Sequence, residues 1–353
     1  WECASCDGAM NPGALRVAAG RVLRLAGMPD RYRYLDRAMA VAGMDRAALQ
    51  RRQLASLRSL LLHAGRTVPY YRDLFSRLGF EPGRVRSVED LARLPVLDKD
   101  IIRQQGRRMV SRDLDPGRLV ERRTGGSTGE PLRFFASRTD LEWQMAINVR
   151  GFALAGFQPG GRVVNVWGYG SARWAQNAVS WVTGRLELDA FDASAAAMDR
   201  WIALMRVHRP AMIYGYAGVL DELASHLERR GVRLPGLELV CSTAEKLFDE
   251  QRGRIARATG AAVRDMYGCH EVMRLASECT SGRMHMAPDA AVLEFEPTGP
   301  APLGPRRILV TSLVSRAMPF IRYDVGDMGH VLDGRCACGL DFPLMGMDVG
   351  KVH

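Results

Sequence analysis

Lysine is nearly absent from this chain: Lys99, Lys246 and Lys351 are the only three in 353 residues. The net charge of +10 is therefore carried by arginine. The arginines fall as scattered doublets (Arg51-Arg52, Arg107-Arg108, Arg122-Arg123, Arg229-Arg230, Arg306-Arg307) and never as a block. Net charge bears on non-specific association rather than function, so no nucleic-acid partner is expected, while acidic phosphorylated ligands remain compatible. No apolar run reaches the roughly 18 residues of a membrane helix, so no membrane partner is expected either. The opening Trp1-Glu2-Cys3 lacks the charged and apolar regions of a secretory signal. Internal repeats and low-complexity tracts are also missing. Seven cysteines are an odd number and poor material for a disulfide framework, so a reduced, cytoplasmic setting is expected. Cys241 and Cys269 read as small apolar fillers. What remains is 47% apolar and 25% charged, the balance of a globular protein with a substantial core.

Residues 1–45 form an approach segment whose first thirty positions show little periodicity. From about Asp45 the pattern is helical, with Leu54, Leu57, Leu61 and Ala64 on one face until Pro69 stops it. Leu94-Pro95-Val96-Leu97-Asp98-Lys99 reads as a turn introducing another helix. The middle of the chain alternates. Strands are expected over 163–167, 212–214, 237–241 and 262–266, with helices over 198–208, 219–230 and 245–259. Strands separated by helices of that length predict a parallel sheet with crossovers. After Glu271, short strands over 292–295, 307–311 and 328–332, joined by Gly- and Pro-containing turns, predict a small antiparallel barrel.

The most informative stretch is Thr124-Gly125-Gly126-Ser127-Thr128-Gly129-Glu130-Pro131. Glycines let backbone N–H groups approach phosphate oxygens, and hydroxyls add donors. It is neither a Walker A loop, whose spacing and lysine are missing, nor GxGxxG. On residues alone, an ordinary loop is the rival reading. Further along stand Tyr267-Gly268-Cys269-His270-Glu271 and Tyr323-Asp324-Val325-Gly326-Asp327, preceded by Pro69–Arg72 and Leu94–Lys99. These five motifs, in this order over about residues 50–350, resemble the adenylate-forming superfamily. The resemblance is to its phenylacetate–coenzyme A ligase and capsule-biosynthesis branch. Gly126 and Glu130 depart from that family's phosphate loop, and His270 stands where a Thr or Ser is usual.

The resemblance implies an α/β adenylate-forming N-terminal domain, with parallel and mixed sheets flanked by helices plus the small β-barrel. It implies ATP-dependent activation of a carboxylic acid, aryl or acyl, to an acyl-adenylate. The acyl group would then pass to a thiol, that of coenzyme A or of a carrier protein's phosphopantetheine. Thr124, Gly125, Gly126, Ser127, Thr128 and Gly129 would cradle phosphates, with Thr128, His270 and Glu271 nearest the chemistry. Glu271 would hold Mg²⁺, a hard cation that prefers oxygen ligands. Asp327 would accept from the ribose hydroxyls. Tyr267, Gly268, Thr243, Ala244 and Glu245 would line the adenine side. By position Trp167, Tyr169, Tyr216 and Ala217 would flank the acid, and sheet-end packing is the rival reading. A small carboxylic acid is the expected partner; an acyl carrier protein or a second copy is compatible.

Cys279 lies six residues before His285, and Cys336-Ala337-Cys338 follows much later. Three thiolates and an imidazole are the complement of a closed, structural Zn²⁺ site. Members of the resembled branch carry a similar set. The Cys3/Cys6 pair is a rival partner. The resemblance also implies a mobile C-terminal domain that supplies a lysine for adenylation. Gly350-Lys351 would match the hinge before it, and the sequence given ends at His353. The expected organisation is thus 1–45 approach segment, 46–271 nucleotide- and acid-binding core, 272–349 barrel with the zinc site, and 350–353 the start of the hinge. Without a lid, such a chain is expected to bind nucleotide better than it turns over, and a domain that binds without catalysis is the competing reading.

Overall fold

The structure is a computed structural model that describes residues 29–124, 131–158, 160–168, 185–299 and 306–351. The approach segment up to residue 28, the glycine-rich positions Gly125 to Glu130, and Tyr169 lie outside the described residues.

Helix α1 spans Pro29–Val41 and α2 spans Arg46–Thr67. Asp45 is the N-cap of α2, its carboxylate accepting from the Ala48 amide at 2.7 Å. The face predicted for α2 is the one it buries, through Leu57, Leu60, Leu61 and Ala64. Pro69 does end that helix, and it also opens the next, α3 (Pro69–Leu78), where a missing N–H costs nothing. Asp98 caps α4 (Lys99–Gln105) in the same way. Strands β1 (Val120–Arg123) and β2 (Arg133–Ala136) then form an antiparallel hairpin whose ends flank the glycine-rich stretch. Helix α5 (Arg138–Leu154) follows, opened by a Ser137/Asp140 capping box.

The alternating region runs β3 (Val163–Trp167), β4 (Arg185–Asp189), α6 (Ala195–His208), β5 (Met212–Tyr216), α7 (Ala217–Arg230), β6 (Leu239–Thr243), α8 (Asp249–Thr259) and β7 (Ala262–Cys269). These five strands pair in parallel in the order β4-β3-β5-β6-β7. Every residue of the interior strand β6 is buried, as both-face coverage requires. One face packs Val164, Ile213 and Val240 against Trp201, Leu220 and Ile255 of the crossover helices; the other packs Met212, Leu239 and Cys241 with Ala155 and Phe152 at the end of α5. Helix α8 starts later than the sequence pattern suggests. Glu245 is not helical but turns its carboxylate back to accept from the Gly218 amide at 2.8 Å, supplying the N-terminus of α7.

The remaining strands are β8 (Met273–Glu278), β9 (Met284–Met286), β10 (Ala291–Pro297), β11 (Arg306–Ser312), β12 (Tyr323–Leu332) and β13 (Leu344–Lys351). They are short, antiparallel and turn-linked as expected, and among the described residues their pairing does not show a separate small barrel. β8 pairs directly with β7, Met266 opposite Ser277 and Tyr267 opposite Ala276. The result is one eleven-stranded mixed sheet, β10-β11-β12-β13-β9-β8-β7-β6-β5-β3-β4. Alternation along a strand reports which face is buried, not which edge the strand joins, so the junction with the parallel half had no signal in the sequence. Helices α2 and α3 cover the antiparallel half, with Leu57, Leu61 and Tyr71 packed among Ile308, Val310 and Phe320.

Candidate active site

Two of the motifs meet where the parallel half of the sheet turns antiparallel. Tyr267 and Glu271 sit at the end of β7 and in the turn to β8; Tyr323 and Asp327 lie on β12. Their side chains cross. The Tyr267 hydroxyl donates to Asp327 Oδ2 at 3.2 Å, and the Tyr323 hydroxyl donates to Glu271 Oε1 at 2.6 Å. Each carboxylate is thus held by the tyrosine of the other motif. Burial, reinforced by the neighbouring carboxylates, raises both phenols well above their ordinary range, so both stay protonated and remain donors. The same burial, with Glu271 beside it, raises the Cys269 thiol and leaves it a filler rather than a nucleophile. A third motif is stitched in: the Leu97 amide donates to the Arg322 carbonyl at 3.0 Å, and the Asp324 amide to the Leu97 carbonyl at 2.9 Å.

Gly268 can be nothing larger, because a Cβ there would lie 2.0 Å from the Met273 carbonyl oxygen. Thr124 closes the base of the glycine-rich stretch: its amide donates to the Leu132 carbonyl, and its hydroxyl accepts from the Leu132 amide, both at 3.0 Å. Thr243 donates to the Met266 carbonyl at 3.1 Å, and Ala244 adopts a positive φ of 65°. The turn through Thr243, Ala244 and Glu245, at the carboxyl end of β6, is thus tied to β7 through Thr243 and to the start of α7 through Glu245. Lys351 lies opposite Asp327 in the β12–β13 register.

His270 meets Phe134 edge-on at 5.8 Å, and the Arg122 guanidinium lies over the same ring at 5.5 Å. Burial and the Arg122 charge lower the His270 pKa, with Glu271 opposing. Arg122 is lowered by burial and supported by Glu271. Neither Arg122 nor the clasp role of Tyr323 was singled out from sequence. Tyr323 stood inside a quoted motif, and Arg122 two positions before the glycine-rich stretch.

On the far side of β7, Trp167 stacks on Tyr216 at 4.6 Å and on Tyr214 at 5.8 Å, all three half-buried. Ala217 is buried at the first turn of α7. This aromatic patch occupies the carboxyl ends of β3 and β5, the edge of a parallel sheet where ligands gather.

Cys279, His285, Cys336 and Cys338 converge elsewhere, between the β8–β9 and β12–β13 loops, with one ligand atom from each within 4.8 Å of all the others. Cys279 and Cys336 sulfurs are 3.6 Å apart, and Cys338 Sγ is 3.4 Å from His285 Nε2. Tetrahedral ligands at Zn–S distances of about 2.3 Å would stand about 3.7 Å apart. His285 Nδ1 lies 3.0 Å from the Phe342 carbonyl, an acceptor that leaves Nε2 free to ligate. The donors present therefore fit a closed soft-metal site.

No protein-family model matches the chain. It is 30% identical over 324 residues to a phenylacetate–coenzyme A ligase of Pseudomonas putida, spanning 86% of this chain and 72% of that one. It is also 23% identical over 251 residues to the protein CapK of Staphylococcus aureus, covering 69% and 55% of the two chains. Among solved structures, an open conformation of 2-hydroxyisobutyryl-CoA ligase, in complex with 2-HIB-AMP and CoA, superposes with a TM-score of 0.71. That match has 21% identity over 86% of this chain and 74% of that one, and it shows the shared fold. With its motifs in order, its sheet and these relatives, the chain belongs to the phenylacetate–coenzyme A ligase family of adenylate-forming enzymes.

Proposed function

We propose that the chain activates a carboxylic acid with ATP and transfers the acyl group to the thiol of coenzyme A. A carboxylate oxygen of the acid attacks the α-phosphorus, the α–β phosphoanhydride bond breaks and pyrophosphate leaves. The thiol then displaces AMP from the mixed anhydride. The observation that carries this reading is the reciprocal clasp of Glu271 by Tyr323 and of Asp327 by Tyr267. Two carboxylates held rigidly at one corner suit the two demands of a metal nucleotide. Glu271 offers oxygen to Mg²⁺, which neutralises phosphate charge, while Asp327 accepts from ribose hydroxyls. His270, kept toward neutral, donates one N–H near the reacting phosphate without adding charge. The glycine-rich stretch from Thr124 would cradle the outer phosphates, and the Trp167/Tyr216 stack would flank the acid.

We also propose that Cys279, His285, Cys336 and Cys338 hold one structural Zn²⁺. Thiolates and imidazole favour it over Mg²⁺ or Ca²⁺, and a full set of protein ligands leaves no open position for catalysis. The test of the catalytic reading is acid-dependent exchange of labelled pyrophosphate into ATP, followed by thioester formation with coenzyme A. Binding of ATP with no exchange for any acid of a broad panel would leave a binding domain instead.

A further inference from the structure

The β7–β8 hairpin carries a charge that the nucleotide corner does not use. Arg274, the second residue of β8, is only 5% exposed. Cations are almost never buried so deeply unless paired, because the interior gives them no hydration. The other deeply buried arginines obey this rule. Arg150 is clasped on both nitrogens by Asp289, and Arg322 by Glu294 and Glu296. Arg274 meets no carboxylate among the described residues. Its Nε donates to Asn148 Oδ1 at 3.1 Å, and Nη2 donates to that same oxygen at 2.5 Å and to the Tyr214 hydroxyl at 3.4 Å. Nη1 has no partner among the described residues. The guanidinium lies 5.5 Å from the Phe152 ring centre and 5.8 Å from that of Tyr214, contacts that moderate a charge without cancelling it.

The position is as telling as the pairing. Tyr214 is the ring against which Trp167 stacks, so Arg274, bonded to the Tyr214 hydroxyl and set against its ring, adjoins the aromatic patch assigned to the acid. Arg274 is also the β-partner of Gly268, three residues beyond Glu271. Across from it, α5 carries Gly151, where a Cβ would stand 3.5 Å from Arg274 Nε and 2.6 Å from Ser277 Oγ.

We propose that Arg274, oriented by Asn148 and Tyr214, is the counter-charge for a second carboxylate on the substrate, so that this site selects dicarboxylic acids. The inference rests on the acid-activating reading above and names its substrate class. One carboxylate faces the nucleotide corner and the other meets the free edge of the guanidinium. A monocarboxylate of equal length would leave that buried cation without a counter-charge. A site built around a polar partner strongly rejects the analogue that lacks it.

The experiment is calorimetry on the whole chain with matched acids, adipate against hexanoate and terephthalate against p-toluate, with ATP·Mg²⁺ titrated in a separate arm. The proposal expects each diacid to bind at least about tenfold tighter than its partner. Arg274→Met should erase that difference while leaving ATP binding intact, and Arg274→Lys should keep part of it. Equal or weaker binding of the diacids by the parent protein overturns the proposal, and it does so even where Arg274→Met fails to fold. A folded Arg274→Met that keeps the preference also overturns it and leaves Arg274 as a packing clamp. ATP binding without diacid preference removes this inference alone; absence of both nucleotide and acid binding removes the acid-activating reading with it.

Discussion

At the scale of single residues, the site depends on groups whose partners are fixed before any ligand arrives. Asp327 accepts a hydrogen bond from Tyr267, and in the proposed reading its carboxylate also accepts from the ribose. Asp327→Ala should weaken ATP binding by about 1.5–3 kcal/mol, the usual loss for a charge-assisted bond, or about 10- to 150-fold in Kd. Unchanged affinity in a calorimetric titration would remove the ribose role. His270 makes a second test. Burial and Arg122 hold its pKa below the ordinary 6.5, so the unfolded chain takes up the proton first as pH falls. Stability should therefore be unaffected by His270 above that value and decline as pH drops through it, until the folded pKa is passed. The ring should accordingly titrate below 6.5 by NMR, and a normal or raised value would contradict the electrostatic account. The motif residues could be read from sequence because chemistry restricts their types. The crossed tyrosines could not, because a phenol's partner sixty residues away leaves no local pattern.

At the scale of elements, the clearest case is the pair of loops that carry the cysteines. β8–β9 supplies Cys279 and His285, and β12–β13 supplies Cys336 and Cys338. The strands they join, β9 and β13, pair at His285 and Leu344. Metal bound there would become folding energy. Purified protein should contain one zinc per chain, and strong chelation or Cys336→Ser should lower the thermal transition more than it changes nucleotide affinity. Elemental analysis without stoichiometric metal would dismiss the site. Helices were legible where caps and prolines mark them: Asp45, Pro69 and Asp98 all stand at observed helix ends. The start of α8 was not legible, because Glu245 serves α7 instead of its own segment.

For the whole molecule, what joins the parts is long-range and mostly polar. Arg150 donates to the Ala38 carbonyl of α1 at 2.9 Å and to both oxygens of Asp289, and it lies over the Phe342 ring. One side chain on α5 thus ties the chain's early helix to the turn before β10 and to the β12–β13 loop. Arg150→Ala leaves Asp289 buried and unpaired, and should cost about 3–5 kcal/mol in denaturant unfolding. A change within about 0.5 kcal/mol, the range of ordinary surface substitutions, would show that the pair is not integral. The parallel half of the sheet was readable because strand and helix alternate along the chain. The antiparallel half was readable as strands but not as a continuation, since the β7–β8 pairing that merges the halves depends on an edge rather than a period. Among the described residues no helix is long and apolar enough to cross a membrane.

The central claim is that the corner formed by Glu271 and Asp327 is a metal–nucleotide site. Titration of ATP into the parent chain and Glu271→Gln, each with and without Mg²⁺, tests it most directly. The account predicts that Mg²⁺ tightens ATP binding to the parent and that Glu271→Gln loses this dependence while keeping its fold. ATP binding that ignores Mg²⁺ in the parent, or the same Mg²⁺ dependence in both proteins, would contradict it.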